Sequence, residues 1–282
     1  MHEPVYTISI VLVTVLVSLR GFRDPSFVQR YIFWPEAILR DKQGYRLISS
    51  GFLHLDGFHL FGNMYSLYAF GRYLEPRAGA MAFLAIYFSS IIGGNLLSLF
   101  LHRHHDYRAL GASGGVCGII YASIFLMRSS IFLFFLPVPV PPWLYAIAYL
   151  LFSFYGIKKG KDNIGHDAHL GGAIIGLMVT TGLYPEIVTE QPLLYSAVMG
   201  LSLVLLIYIL KNPLFLPWRA FSGSFAARRR PSKPALTRKE QAEQVDAILE
   251  KLSRSGMQSL TPAEQQILRD ASRRGSHDQG SN

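Results

Sequence analysis

Seven runs of apolar residues alternate with polar breaks along most of the chain: Val5–Leu19, Gly57–Leu74, Gly79–Leu101, Ala112–Met127, Pro142–Ile157, Ala168–Leu183 and Pro192–Leu210. A helix that crosses a bilayer needs about 20 predominantly apolar residues, with about 17 tolerated. Core helices of a soluble protein rarely recur seven times at this density, so the pattern predicts an all-α polytopic membrane protein. The first run is short enough for a signal peptide. Met1–Pro4 carries no positive charge, however, and no small-x-small cleavage site follows, so the run reads as a retained span.

Two stretches depart from this pattern. Arg20–Asp56 is long, charged and aromatic, and its Phe27–Trp34 segment suits an interfacial position with Trp34 at headgroup depth. From Lys211 onward the chain holds 13 of its 27 Lys and Arg against 7 of its 18 Asp and Glu, so this part reads as soluble. Residues 213–236 have the Ser, Pro, Ala and Arg content of a linker. Thr237–Glu240 and Thr261–Glu264 are capping boxes, the second with proline at the first helical position. Val245, Ile248, Leu249 and Leu252 mark one helical face before Gly256, and Ile267, Leu268 and Ala271 mark another. Residues 237–274 therefore read as a small helical hairpin that must pack on itself, on a copy or on a partner. Residues 275–282 read as disordered.

Composition supports this division. Half of the 282 residues are hydrophobic and 16% are charged, against about 25% charged in a soluble domain. That excludes a disordered chain, and it excludes a soluble nucleic-acid binder despite the net charge of +9. A single cysteine excludes an intramolecular disulfide and a cysteine-based metal cage. No metal, nucleotide or other cofactor motif appears.

Polar groups inside spans are costly and face the bundle interior or a water-filled cavity. Here they are few and patterned. His59 and Asn63, four residues apart, share a face at the start of the second run. Ser113 opens the fourth within Gly111–Gly115, and His169 opens the sixth within Ala168–Gly172. Helices of an antiparallel bundle alternate in direction, so the second, fourth and sixth run the same way. The three polar sets then lie at one depth on one side of the membrane.

A serine, a base and oxyanion donors at one depth are the parts of a serine hydrolase. A serine hydroxyl needs an adjacent base, which imidazole supplies at neutral pH. The developing oxyanion needs preorganised donors such as an amide, an imidazole or a backbone N–H. Taken singly, Ser113 reads as interhelical glue, and Gly114, Gly118, Gly172 and Gly176 read as small-residue packing devices. The conjunction of residues favours the hydrolase.

His59-x-x-x-Asn63, Gly111-x-Ser113-Gly114 and Ala168-His169-x-x-Gly172-x-x-x-Gly176 together resemble the motifs of the rhomboid intramembrane serine proteases, in order and in spacing. Tyr45-Arg46 and His54 resemble that family's aromatic-Arg loop motif and first histidine. The resemblance covers residues 1–185. It implies a six-helix membrane core, followed here by a seventh transmembrane segment over 186–212. It implies Ser113 as nucleophile, His169 as general base of a Ser-His dyad, and His59 and Asn63 as oxyanion-hole donors beside the Ser113 N–H. Arg46, His54, Gly111, Gly114, Gly172 and Gly176 would be structural supports. Transmembrane-helix proteins in the lipid bilayer would be the substrates, the fifth helix their gate, and no cofactor would be required.

The chain departs from the family pattern at Cys117, where some rhomboids place a tyrosine that packs on the catalytic imidazole. Tyr121 is the aromatic expected to replace it, and Cys117 reads as core filler. Asp167 precedes His169 by two residues, faces away from it on a helix, and reads as an interface residue. Pro137–Pro142 is expected to break the chain before the fifth helix and Gly156 to end it. The 237–274 segment resembles a short module on some bacterial rhomboids, which implies a bacterial inner membrane. Orientation is divided. The family would place the active site outside, whereas Lys and Arg concentrate in the loops on the active-site side, which the positive-inside rule assigns to the cytoplasm. Two other readings remain: a non-catalytic relative that binds membrane helices, and a metal transporter using His102, His104 and His105 with His54 and His59. Against the transporter, the second to sixth runs lack carboxylates except near ends such as Glu75, and His102–His105 read as a solvated turn.

Overall fold

Each apolar run folds as a helix in a computed structural model that describes residues 3–104, 106–127, 131–133, 136–159, 165–212, 238–255 and 268. The seven are α1 (Val5–Arg23), α5 (Gly57–Ala78), α6 (Ala80–His102), α7 (Ser113–Met127), α8 (Pro142–Lys159), α9 (His166–Leu183) and α11 (Pro192–Lys211). Of these, α1, α6 and α11 are long and apolar enough to cross a membrane by length and composition, and α7 and α8 contain shorter apolar stretches. The protein is an all-α integral membrane protein.

Between α1 and α5 the chain forms α2 (Pro25–Tyr31), α3 (Pro35–Leu39), α4 (Arg46–Ser49) and a 3-10 turn at Ser50–Phe52. This segment is more than an interfacial strip. Val28, Ile32 and Phe33 are fully buried, Phe33 pairs with Ala109 through two backbone hydrogen bonds (3.0 and 3.2 Å), and the Trp34 ring is covered by the Arg108 guanidinium at 4.4 Å. Arg46 is buried and ties the segment together, donating to Gln29 O (3.0 Å), Ile32 O (2.7 Å) and Gln43 Oε1 (2.7 Å). A buried guanidinium is stable only when its fork of donors is filled.

The centre of the bundle is α7, whose residues Gly114–Phe125 are all buried. It packs against α5, α6 and α9. A helix that is apolar all round must be enclosed, and its small residues bring the neighbours close. A β-carbon on Gly172 of α9 would overlap the Gly114 carbonyl of α7, and one on Gly176 would overlap the Gly118 backbone.

The buried carboxylate of Glu75, on α5, accepts from Tyr6 N (3.0 Å), Thr7 N (2.7 Å) and Thr7 Oγ1 (2.8 Å). It thereby satisfies orphan donors and complements the dipole at the start of α1. Four features differ from expectation. A two-stranded antiparallel pair, β1 (Ile131–Leu133) and β2 (Leu136–Val140), precedes α8. Gly156 does not stop α8, because its missing side chain is where the His166 ring packs. His102 is the buried last residue of α6 rather than part of a solvated turn. The first and second runs extend about one helical turn beyond their apolar stretches, to Arg23 and Ala78.

The chain divides into two compact units, Met1–Ser222 and Gly223–Asn282. In the second, α12 (Arg238–Ser255) has Ile248 buried, Val245 and Leu252 half-buried and Leu249 exposed. A short helix, α10 (Glu186–Glu190), joins α9 to α11 in the first. The linker 213–236, both capping threonines, the second hairpin helix apart from Leu268, the tail 275–282 and His105 lie outside the described residues.

Candidate active site

Three helix N-termini converge here. Ser113 is the first residue of α7, and its half-buried side chain follows Gly111 and Ala112. Gly111 has φ +136°, a backbone region that L residues rarely adopt. A β-carbon there would lie 2.9 Å from His59 Cε1, 3.1 Å from His59 Nε2 and 3.6 Å from Ser113 Oγ. The bare glycine therefore lets the His59 imidazole of α5 and the Ser113 hydroxyl both lie close to where a side chain on residue 111 would stand. Asn63, one turn along α5, is buried and donates from Nδ2 to the His59 carbonyl (3.0 Å). The first α-helical bond of α7 runs from Val116 N to Ala112 O (3.0 Å). By helix geometry the N–H groups of Ser113, Gly114 and Gly115 have no acceptor within the helix.

The start of α9 reaches the same place. A β-carbon on Gly114 would lie 3.3 Å from the Ala168 carbonyl oxygen. Ser113 and His169 are the chain neighbours of those two residues, so the α7–α9 contact brings their backbones alongside one another. His169 is buried, and its Nδ1 lies 3.2 Å from the Tyr149 hydroxyl of α8. That hydroxyl is also 2.9 Å from Cys117 Sγ, one turn below Ser113 on α7. Tyr149, not Tyr121, is thus the aromatic beside the imidazole. The Tyr121 hydroxyl instead donates to Ala146 O (2.6 Å).

The approach to Ser113 is braced from the first loop. His54 Nε2 accepts from Ala112 N (3.3 Å), and its Nδ1 faces Ser18 Oγ (3.0 Å), which donates to Phe52 O (2.9 Å). With Nε2 accepting, Nδ1 must carry the proton, so His54 is held as one neutral tautomer. Burial, with His59 a lesser cause, pushes this imidazole down to about 3. Gly111 N donates to Ser50 O (3.0 Å), and Asn95 of α6 donates to Leu47 O (2.8 Å).

Asp167 is buried rather than at an interface. Its Oδ2 lies 3.4 Å from His102 Nε2, and its Oδ1 accepts from the Tyr107 hydroxyl (3.2 Å). Tyr107 in turn stacks on the His102 ring, with centroids 3.8 Å apart. The residue does face away from His169, but into the α6 end of the bundle. His166 is also buried, its ring edge-on to His169 at 5.6 Å and to Phe152 at 5.2 Å. Among the described residues no group of three or more His, Cys, Asp or Glu side chains is arranged to hold a metal ion.

Residues 41–186, which carry every one of these motifs, match the model of the Rhomboid domain. The chain belongs to the rhomboid family. Among its relatives, rhomboid protein 1 of the mitochondrion of Saccharomyces cerevisiae is 31% identical over 157 residues, 54% of this chain and 45% of the relative. The mitochondrial RHOMBOID-like protein 12 of Arabidopsis thaliana is 35% identical over 149 residues, 46% and 43% of the two chains. Rhomboid protease AarA of Providencia stuartii is 29% identical over 182 residues, 56% and 63%. The chain thus spans about half the length of the first of these relatives. Residues 235–274 match a second model, a family of unknown function (DUF6576).

In this rhomboid the sequence reading missed Tyr149 and the His102–Tyr107–Asp167 cluster. Tyr149 lies within an apolar run, where an aromatic carries no signal of its own. His166 was legible in principle, since it lies three positions before His169, on one helical face.

Proposed function

We propose that this rhomboid is an intramembrane serine endopeptidase that hydrolyses peptide bonds in or beside the transmembrane helices of membrane-protein substrates. The observation that carries the reading is the seating of Gly114 against the Ala168 carbonyl, with Ser113 and His169 as the adjoining residues. Nδ1 of His169 faces the Tyr149 hydroxyl, and the reading assigns Nε2 to the serine. In this reading Nε2 takes the Ser113 proton as Oγ attacks the substrate carbonyl carbon. The oxyanion receives hydrogen bonds from His59, from Asn63 and from the Ser113 N–H. Protonated His169 then gives its proton to the departing amine, leaving an acyl-serine. Water, deprotonated by Nε2, hydrolyses that ester and restores the hydroxyl. No cofactor enters any step. Relatives named as proteases support the same reading.

The domain reading goes with it: a membrane core over 1–185, a further span over 186–212 and a soluble hairpin over 237–274 behind a linker, in a bacterial inner membrane. Cleavage of a transmembrane substrate in proteoliposomes tests the activity. The wild type should cut, and both Ser113→Ala and His169→Ala should not. Cleavage that survives Ser113→Ala would remove the nucleophile assignment. An uncleaved substrate together with fluorophosphonate labelling of wild-type Ser113 would mean a competent enzyme offered the wrong substrate. Absence of both would favour a helix-binding, non-catalytic rhomboid.

A further inference from the structure

We propose that Tyr149 is the positioning residue for His169: its hydroxyl, set between His169 Nδ1 and Cys117 Sγ, fixes the tautomer that leaves Nε2 basic. The proposal rests on the protease reading above. Its geometric basis is independent of that reading. One hydroxyl stands 3.2 Å from the imidazole nitrogen and 2.9 Å from the thiol sulfur. The tyrosine ring is held from two sides, stacked on Tyr145 with centroids 5.9 Å apart and edge-on to Tyr121 at 6.4 Å. Cys117 is buried and lies four residues after Ser113, on the same face of α7.

Only one proton order suits a base. A lone pair on Nε2 requires the ring proton on Nδ1, and that proton is donated to the Tyr149 oxygen. The tyrosine's own proton then points to the sulfur, a weak acceptor. When Nε2 accepts the serine proton, the imidazolium keeps its Nδ1–H bond to a neutral oxygen. A carboxylate in this place would be an ionised group within a membrane span, which is costly. The nearby carboxylate, Asp167, is engaged by Tyr107 and His102 instead. The orienting group thus comes from α8, and the nucleophile and the base from α7 and α9.

The test compares wild type, Tyr149→Phe, Cys117→Ala and Cys117→Ser in proteoliposomes, by steady-state cleavage and by the rate of fluorophosphonate labelling of Ser113. Tyr149→Phe keeps the ring and removes the oxygen. It is expected to lower kcat by about 10- to 100-fold, the size of one hydrogen bond to a charged group. KM should stay within about twofold, and labelling should slow in parallel with kcat. Cys117→Ala should act in the same direction more weakly, and Cys117→Ser should recover most of that loss by restoring an acceptor. Wild-type kcat in Tyr149→Phe overturns the proposal, as does a change confined to KM, which would make Tyr149 a substrate contact. If Tyr149→Phe fails to fold, the cysteine pair decides on its own: equal rates in Cys117→Ala and Cys117→Ser overturn the chain of hydrogen bonds. If the wild type neither cleaves nor labels, or if activity survives His169→Ala, the protease reading itself fails and this proposal falls with it.

Discussion

Gly111 and His59 meet at a distance that no side chain on residue 111 could share. A β-carbon there would lie 2.9 Å from the imidazole, on a backbone already at φ +136°. Two penalties therefore coincide at one position, a strained conformation of about 1–3 kcal/mol and displacement of the ring. Gly111→Ala is expected to lower thermal stability in detergent and to reduce cleavage by about 100-fold or more, since oxyanion donors misplaced by 1 Å lose most of their effect. Normal cleavage by a well-folded Gly111→Ala would show that His59 does not need its present position.

The α7–α9 contact makes a sharper contrast. Gly172 faces the Gly114 backbone with no room for a methyl group, whereas Gly182, near the end of the same helix, has nothing within 4 Å of its would-be β-carbon. Gly172→Val should separate the two helices. It is expected to cost about 1–3 kcal/mol from overpacking and to abolish cleavage by parting Ser113 from His169. Gly182→Ala should be neutral or slightly stabilising, by up to about 1 kcal/mol from helix propensity. Unfolding midpoints and cleavage rates of the two variants, measured side by side, check both statements.

The helix positions were legible because a bilayer demands continuous apolar runs, and each such run folded as a helix. Ser113, His169, His59 and Asn63 stood out as candidates because polar groups in spans are rare. What was not legible depends on neighbours across helices. Tyr149 is one aromatic among many in apolar runs, and only the packing of α8 on α9 brings its hydroxyl to His169. Asp167 points away from His169, as its two-residue offset on a helix requires, but nothing local signals that His102 and Tyr107 meet it there. Gly156 looks like a helix stop by composition. Its role comes from the His166 ring of another helix. The Phe33–Ala109 pairing joins segments 76 positions apart and left no local trace.

Asp167 separates two roles for a carboxylate near the proposed general base, His169. If it were the third member of a triad, its removal would disable the base directly. Its oxygens are directed to His102 and Tyr107, so the loss should fall on stability. Asp167→Ala removes the buried carboxylate that His102 and Tyr107 both contact, and it is expected to cost about 3 kcal/mol. The milder Asp167→Asn should lower the unfolding midpoint less. At a temperature where it remains folded, its Ser113 should label with fluorophosphonate at a rate within a few-fold of wild type. Labelling slowed by about 1,000-fold in folded Asp167→Asn would assign Asp167 to catalysis.

The pH dependence of stability follows from His54. Burial holds its imidazole at about 3, against about 6.5 in an unfolded chain. Between those values the unfolded state binds a proton that the folded state refuses. Stability is therefore complete above about pH 6.5 and falls as the pH drops, at about 1.4 kcal/mol per pH unit, until the folded state protonates near 3. The structural consequence is specific, because a doubly protonated ring cannot accept from Ala112 N. The hydrogen bond from the Ala112 N–H, immediately before Ser113, to the His54 ring would then break. Unfolding midpoints of the detergent-solubilised protein should decline from pH 6.5 towards 4. In His54→Gln, which has no proton to gain in this range, the decline should be shallower and the midpoint at pH 7 lower. Parallel declines in the two proteins would assign the acid sensitivity to other groups.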